Sequence, residues 1–250
     1  MPITIKSERE IELMTEAGRI LGIVHKELEK ALKPGMSTLD IDALGEEVIR
    51  SYGCEPSFLN YNGYPASICV SVNDEIVHGI PSAKHLIKEG DIVSLDAGVI
   101  YKGYHSDAAR THAVGEIRPD LQKLIDVTRE SFFEGIKFAK EGNHLYDISR
   151  AIGDYGYGVV RELCGHGIGT SLHESPEIPN FQMRRRGPKL KAGMTLAIEP
   201  MVNLGTERIR WMSDNWTVVT ADRKESAHYE NTILITKDEP KILSIADGNV

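Results

Sequence analysis

Apolar residues recur at helical spacing from Ser7 to about Leu32, with Ile11, Met14, Ala17, Leu21, Val24 and Leu28 on one face. Ser7 and Glu10 read as a capping box at its start, and Lys33-Pro34-Gly35 as its stop. The same period returns from Thr38 to about Tyr52, carried by Ile41, Leu44 and Val48 and closed by Gly53. Then the period changes. "SICVSV" and "EIVHGI" flank Asn73-Asp74, and "DIVSLDAGVI" and "YHSDAARTHAV" flank "YKG"; both pairs predict strands joined by tight turns. Helical spacing resumes from Pro119 to Lys140 and, more briefly, from Leu145 to about Asp154. Beyond that the strands return, in "GMTLAIEPM", "WTVVTAD" and "HYENTILIT".

The order long helix, short helix, strands thus occurs twice, and residues repeat with it. "KPGMSTLDI" (33–41) aligns with "KEGNHLYDI" (140–148), and "KEGDIVSLD" (88–96) with "KAGMTLAIE" (191–199), which pairs Asp96 with Glu199. "SVNDEIVHGIP" (71–81) aligns with "HGIGTSLHESP" (166–176), which pairs His78 with His173. Three matches in one order predict an α+β fold of two related halves about a pseudo-two-fold axis. No Pro/Gly/Ser-rich linker separates them, so residues 1–250 read as a single domain with its site at the seam.

Composition narrows the class. A chain of 250 residues, 41% hydrophobic and 26% charged, has the make-up of a globular protein with a sizeable core. Its net charge of −8 argues against a general affinity for nucleic acid or anionic membrane. No apolar run approaches a membrane span, and "MPITIKSERE" lacks the features of a signal peptide. Cys54, Cys69 and Cys164 lack CxxC spacing and read as reduced thiols, so the expected location is the cytoplasm.

The chemistry is carried by acids in apolar strands. Asp96 and Glu199 follow "DIVSL" and "MTLAI", and Asp107 and Glu230 lie in "YHSDAART" and "AHYENTILI". One buried acid is readily explained as an ion pair or a strand-end cap. Four are harder to pair, because few Lys or Arg share those strands and each unpaired buried charge costs several kcal/mol, roughly. Two divalent cations would balance the four charges, and a mostly oxygen site with one imidazole suits Mn, Fe, Co or Zn. The imidazole is sought in "GHGIGTSLHESP" (165–176), where Gly165, Gly167 and Gly169 surround His166. Such a backbone reads either as a loop with solvated histidines or as one that a metal or substrate must approach closely.

The contexts "LDAG", "GHGIG", "IEP" and "YENTI", with "NGYPASICVSVNDEIVHGIP", resemble the motifs of the methionine aminopeptidases over nearly the whole chain. Among them the chain resembles the short bacterial type I form. The resemblance implies the pita-bread fold with a dinuclear metal site at the centre of the sheet. It implies that Asp96 holds one metal, His166 and Glu199 the other, and that Asp107 and Glu230 bridge both. The activity it implies is removal of the N-terminal methionine from nascent proteins and peptides when the second residue is small, by metal-activated hydroxide attack on the first peptide bond. Glu199 would handle protons, His173 would stabilise the tetrahedral oxyanion, and His78 would stand near the peptide nitrogen beyond the scissile bond. Phe58, Tyr61, Tyr64, Cys69, Leu172 and Trp216 match the methionine pocket, with Leu172 and Phe58 departing from the residues common there.

Other features carry less. "MRRRGPK" (183–189), with Arg184 to Arg186, reads as a solvated loop, or as a contact to the ribosome on which nascent chains emerge. His25, His85, His105, His112, His144 and His228 have no ligand context. The chain is expected to act as a monomer. Two other readings compete: an X-Pro dipeptidase of the same fold, which usually carries an extra N-terminal domain, and a metal-free pita-bread protein that binds peptides, which would have lost ligands.

Overall fold

The computed structural model describes residues 2–153 and 156–246. Helix α1 (Glu8–Ala31) begins at the Ser7 capping box, where the Ser7 amide donates to Glu10 Oε2 at 2.7 Å. Its expected stripe is inward, with Met14, Ala17, Leu21, Val24 and Leu28 at most 1% exposed. Each such large side chain contributes about 1.5–3 kcal/mol on burial. Helix α2 (Thr38–Ser51) starts at a second box, Ser37 with Asp40. Helix α3 (Pro119–Ile136) ends before the expected Lys140, because the Phe138 and Ala139 amides turn back to the Gly135 and Ile136 carbonyls. Lys140 leaves the helix to bridge Thr236. Helix α4 spans Leu145–Ile152, and the expected end at Asp154 lies outside the described residues.

The strands Ile92–Tyr101 and Tyr104–Ala113 form the predicted hairpin, with Tyr101 opposite Tyr104. Lys102 and Gly103, at φ 48° and 85°, supply the two left-handed residues that a two-residue turn needs. The turn at Asn73 is also left-handed (φ 55°), yet its flanks do not form the expected hairpin ladder. Ile68–Val72 pairs with Ile92–Tyr101, whereas Glu75–Val77 pairs with Val218–Thr220. Asn73 is bound elsewhere: its amide donates to Ile92 O, its side-chain oxygen accepts from Ile92 N, and its carbonyl accepts from Ser226 N. Those bonds send the two strands to different sheets.

The internal repeat is built into the hydrogen bonding. Gly35 N donates to Ile87 O, as Gly142 N does to Leu190 O. Ser37 bridges Leu86, as His144 bridges Lys189, and Gly90 and Gly193 share φ near 90°. In the second half Thr195–Ile198 stands where Ile92–Tyr101 begins in the first, flanked by Cys164–Gly167 and Asn231–Leu234. The halves meet where Ala109 and Glu230 exchange backbone hydrogen bonds at 3.4 and 2.9 Å. The pseudo-two-fold axis passes between those two residues. One apolar cluster lies under α1 and α2, and another under α3 and α4.

Candidate active site

The acids converge beside that axis. Asp96 faces Ala109 and Asp107 faces Gly98 across the hairpin, so the two carboxylates are diagonal neighbours on one face. Glu199 follows Thr195–Ile198, and Glu230 precedes Asn231–Leu234. His166, in Cys164–Gly167 opposite Ala197, puts Nε2 3.6 Å from Glu199 Oε1 and 3.8 Å from Asp107 Oδ2. Donor atoms of Asp107, His166 and Glu230 all lie within 4.8 Å of one another.

The glycines around His166 have a different purpose from the one expected. Cys164–Gly167 is a strand, and a Cβ on Gly165 would lie 2.4 Å from Ala197 O. One on Gly167 would lie 2.2 Å from Ser175 O. The close approach is by neighbouring backbone, and it sets the ring among the acids. His166 Nδ1 lies 2.9 Å from the Gly167 carbonyl, so the proton is on Nδ1 and bare Nε2 faces the carboxylates.

The electrostatics of this cluster are those of crowded, buried carboxylates. Burial first, and then neighbouring acids, push Asp96, Glu199 and Glu230 well above the usual carboxylate range. Burial pushes Asp107 to about 7. Burial, followed by the nearby His173, lowers His166 to about 3, leaving a neutral ring. Asp96 Oδ1, Asp107 Oδ1 and Glu230 Oε1 are buried without a hydrogen-bond partner. Buried polar atoms are otherwise almost always satisfied. This donor set, oxygen-rich with one bare imidazole nitrogen, fits divalent cations.

A cavity of about 210 Å³ opens over the cluster and is lined by every site residue expected from the sequence. Tyr64, Cys69, Phe58 and Leu172 are buried at its base, and Trp216 closes a side with its ring edge-on to Tyr64 at 5.1 Å. The Tyr64 hydroxyl donates to Gly79 O at 2.9 Å, so the ring shows the cavity its apolar body. The His173 ring is tilted 60° to that of His166 with centroids 4.1 Å apart, and its Nδ1 lies 2.7 Å from the Tyr61 hydroxyl. His78 is held at φ 58°, with burial and then His173 lowering its ring to about 4.

Three features are absent from the sequence reading. Asn62 lines the cavity. Lys6 and Glu174 form a buried ion pair at 2.8 Å that ties the N-terminal segment to the loop carrying His173. His228, set aside among the histidines, lies behind Glu199 and Glu230, with Nε2 3.8 and 4.0 Å from their carboxylates. Residue spacing along the chain could not reveal the Lys6 pair; the two-residue step from His228 to Glu230 within the strand predicted over "HYENTILIT" could have revealed the histidine.

The chain matches the model of metallopeptidase family M24 over residues 12–237. It is 53% identical over 249 residues to the methionine aminopeptidase of Clostridium acetobutylicum, covering 98% of this chain and 100% of that one. Its fold superimposes on the crystal structure of methionine aminopeptidase from Thermotoga maritima with a TM-score of 0.95 at 43% identity, covering 98% and 100% of the two chains. The prolidase from Pyrococcus furiosus is more distant, with a TM-score of 0.79, 25% identity and 66% of its length covered. The chain belongs to metallopeptidase family M24 and has that family's pita-bread fold. Within the family its activity is that of a metal-dependent aminopeptidase that removes N-terminal methionine.

Proposed function

We propose that residues 1–250 act as one catalytic unit on nascent chains and peptides in the cytoplasm, releasing methionine when the second residue is small. In this reading Asp96, Asp107, His166, Glu199 and Glu230 hold two divalent ions, with Asp107 and Glu230 serving both. The carrying observation is the set of partnerless buried carboxylate oxygens around the bare His166 Nε2. Co, Mn, Fe and Zn all suit these donors. Such ions supply a nucleophile at neutral pH and Lewis acidity toward a carbonyl.

The protein's own groups do the rest. The apolar cavity takes the methionine side chain, whose unbranched thioether packs well against Tyr64, Trp216 and Tyr61. Tyr61 Oη lies 2.7 Å from His173 Nδ1; with the phenol as donor, the ring's proton sits on Nε2, where it can serve the developing oxyanion. His78 stands across from it, beside the peptide nitrogen beyond the scissile bond, and Glu199 takes and returns protons. With His78 and His173 flanking the peptide, little space remains for a second side chain. Arg186 in the basic loop is committed to Asp147 of α4 at 2.6 Å, which favours a structural role there over a ribosome contact.

The test is one purified sample assayed on Met-Ala-Ser, Met-Leu-Ser and an X-Pro dipeptide, after chelation and after adding Co²⁺, Mn²⁺ or Fe²⁺. Chelation should abolish cleavage of Met-Ala-Ser and metal should restore it, while the other two substrates stay poor. Full turnover by a rigorously metal-free sample refutes the metal reading, and preference for the X-Pro dipeptide refutes the specificity.

A further inference from the structure

Histidine 228 is 1% exposed, and both of its ring nitrogens are buried without a hydrogen-bond partner. It does not line the cavity. Two further observations give this ring a place in the centre.

The first is symmetry. The strand pairs Ile92↔Ala113 and Thr195↔Leu234 are counterparts in the two halves. Counting back along the chain from each pair, Ala109 corresponds to Glu230, Thr111 to Thr232, and Asp107 to His228. The hydrogen bonds obey this correspondence. Thr232 Oγ1 accepts from the Asp107 amide and donates to its carbonyl, at 2.8 and 2.9 Å. Thr111 Oγ1 does the same for His228, also at 2.8 and 2.9 Å. His228 therefore occupies the second half's copy of the Asp107 position, with its backbone gripped in the same way, and its side chain is directed to the same centre.

The second is what it meets there. Its Nε2 lies 3.8 Å from Glu199 Oε2, while His166 approaches the other oxygen, Oε1, at 3.6 Å. Glu199 thus lies between two imidazoles. Glu230 Oε2 is 4.0 Å from the same His228 nitrogen. Carboxylates ionised by bound cations can only accept, so pairing with them would require Nε2 to carry a proton.

We propose that His228 is a positioning residue of the metal centre, donating Nε2–H to the outer oxygens of Glu199 and Glu230 so that their other oxygens face the ions. The inference rests on the two-ion reading above. Carboxylate ligands generally need such an outer partner, and its loss typically costs about 10–100-fold in metal affinity.

The experiment compares the wild type with His228→Gln and His228→Leu, each stripped of metal and titrated anaerobically with Co²⁺. Calorimetry reads the two dissociation constants, and the visible Co²⁺ absorption reads ligand geometry. Glutamine places an N–H donor where Nε2 stands; leucine fills the space with none. His228→Leu should weaken at least one Co²⁺ by about 10–100-fold and alter its absorption. KM for Met-Ala-Ser should stay near the wild-type value, because His228 does not line the cavity. His228→Gln should bind both ions within about threefold of the wild type, on the argument that it restores the donor. A His228→Leu protein with wild-type affinities and spectrum overturns the proposal. So does a folded His228→Gln protein as impaired as His228→Leu, or as impaired as the wild type is after Asp107→Asn; this arm decides the matter if the leucine variant does not fold. A wild type that binds no Co²⁺ at this centre would instead overturn the two-ion reading itself.

Discussion

The two halves share a hydrogen-bonding frame but not a set of side chains. In the first half, Asp96 and Asp107 come from one hairpin whose strands are joined by a two-residue turn, so the pair is assembled locally. In the second, Glu199, His166 and Glu230 come from three segments brought together by the sheet order. Register places Ser71 where the second half has His166, and Ala109 where it has Glu230. One half offers two carboxylates; the other offers two more, with the imidazoles of His166 and His228 beside them. Duplicated backbone is enough to make a symmetric cavity, and divergence at a few inward positions turns it into a centre with distinct sides.

The sharpest way to break this comparison is to remove a ligand that serves both ions. Asp107→Asn and Glu230→Gln should each lose both ions by elemental analysis and leave cleavage at background, whereas Glu199→Gln should retain one ion. Equal metal loss in all three would erase the distinction between shared and one-sided donors. Next in size is His173→Ala, expected to lower kcat by about 10²–10³ as a lost oxyanion donor does. Its metal content should be intact; loss of metal would make His173 a ligand.

The charge of the centre sharpens the comparison further. A carboxyl raised to about 7, like that of Asp107, holds its proton below that pH, and an incoming cation must displace it. Metal affinity should therefore fall as pH drops from 7 to 5, about tenfold per pH unit for each proton displaced. His166, lowered to about 3, stays neutral over that range and adds no slope. Calorimetry at pH 6 in buffers of different ionisation enthalpy should show proton release on Co²⁺ binding, and none at all would contradict the raised carboxyls. The smallest effect is in the pocket. An apolar slot separates homologous side chains by about 1–3 kcal/mol, so N-terminal leucine should fall in kcat/KM by roughly 10–200-fold and norleucine by much less. Efficient release of leucine would show that Tyr64, Cys69 and Trp216 do not define the slot.

Local patterning by itself determined much of this protein. The capping boxes at Ser7 and Ser37, the stripe of α1, the turn at Lys102-Gly103 and the repeat were legible, because each depends on residues a few positions apart or on two copies of one motif. Four acids in apolar strands signalled a site, since unpaired buried charge needs a counterion whatever the fold. Tertiary structure alone decided the rest. It sent the strands beside Asn73 to separate sheets, because that residue is bonded to Ile92 and Ser226. It required Gly165 and Gly167 for the approach of Ala197 and Ser175, which local sequence cannot display. It also set His228 behind Glu199, since what a buried ring touches depends on strands that pair across the whole chain.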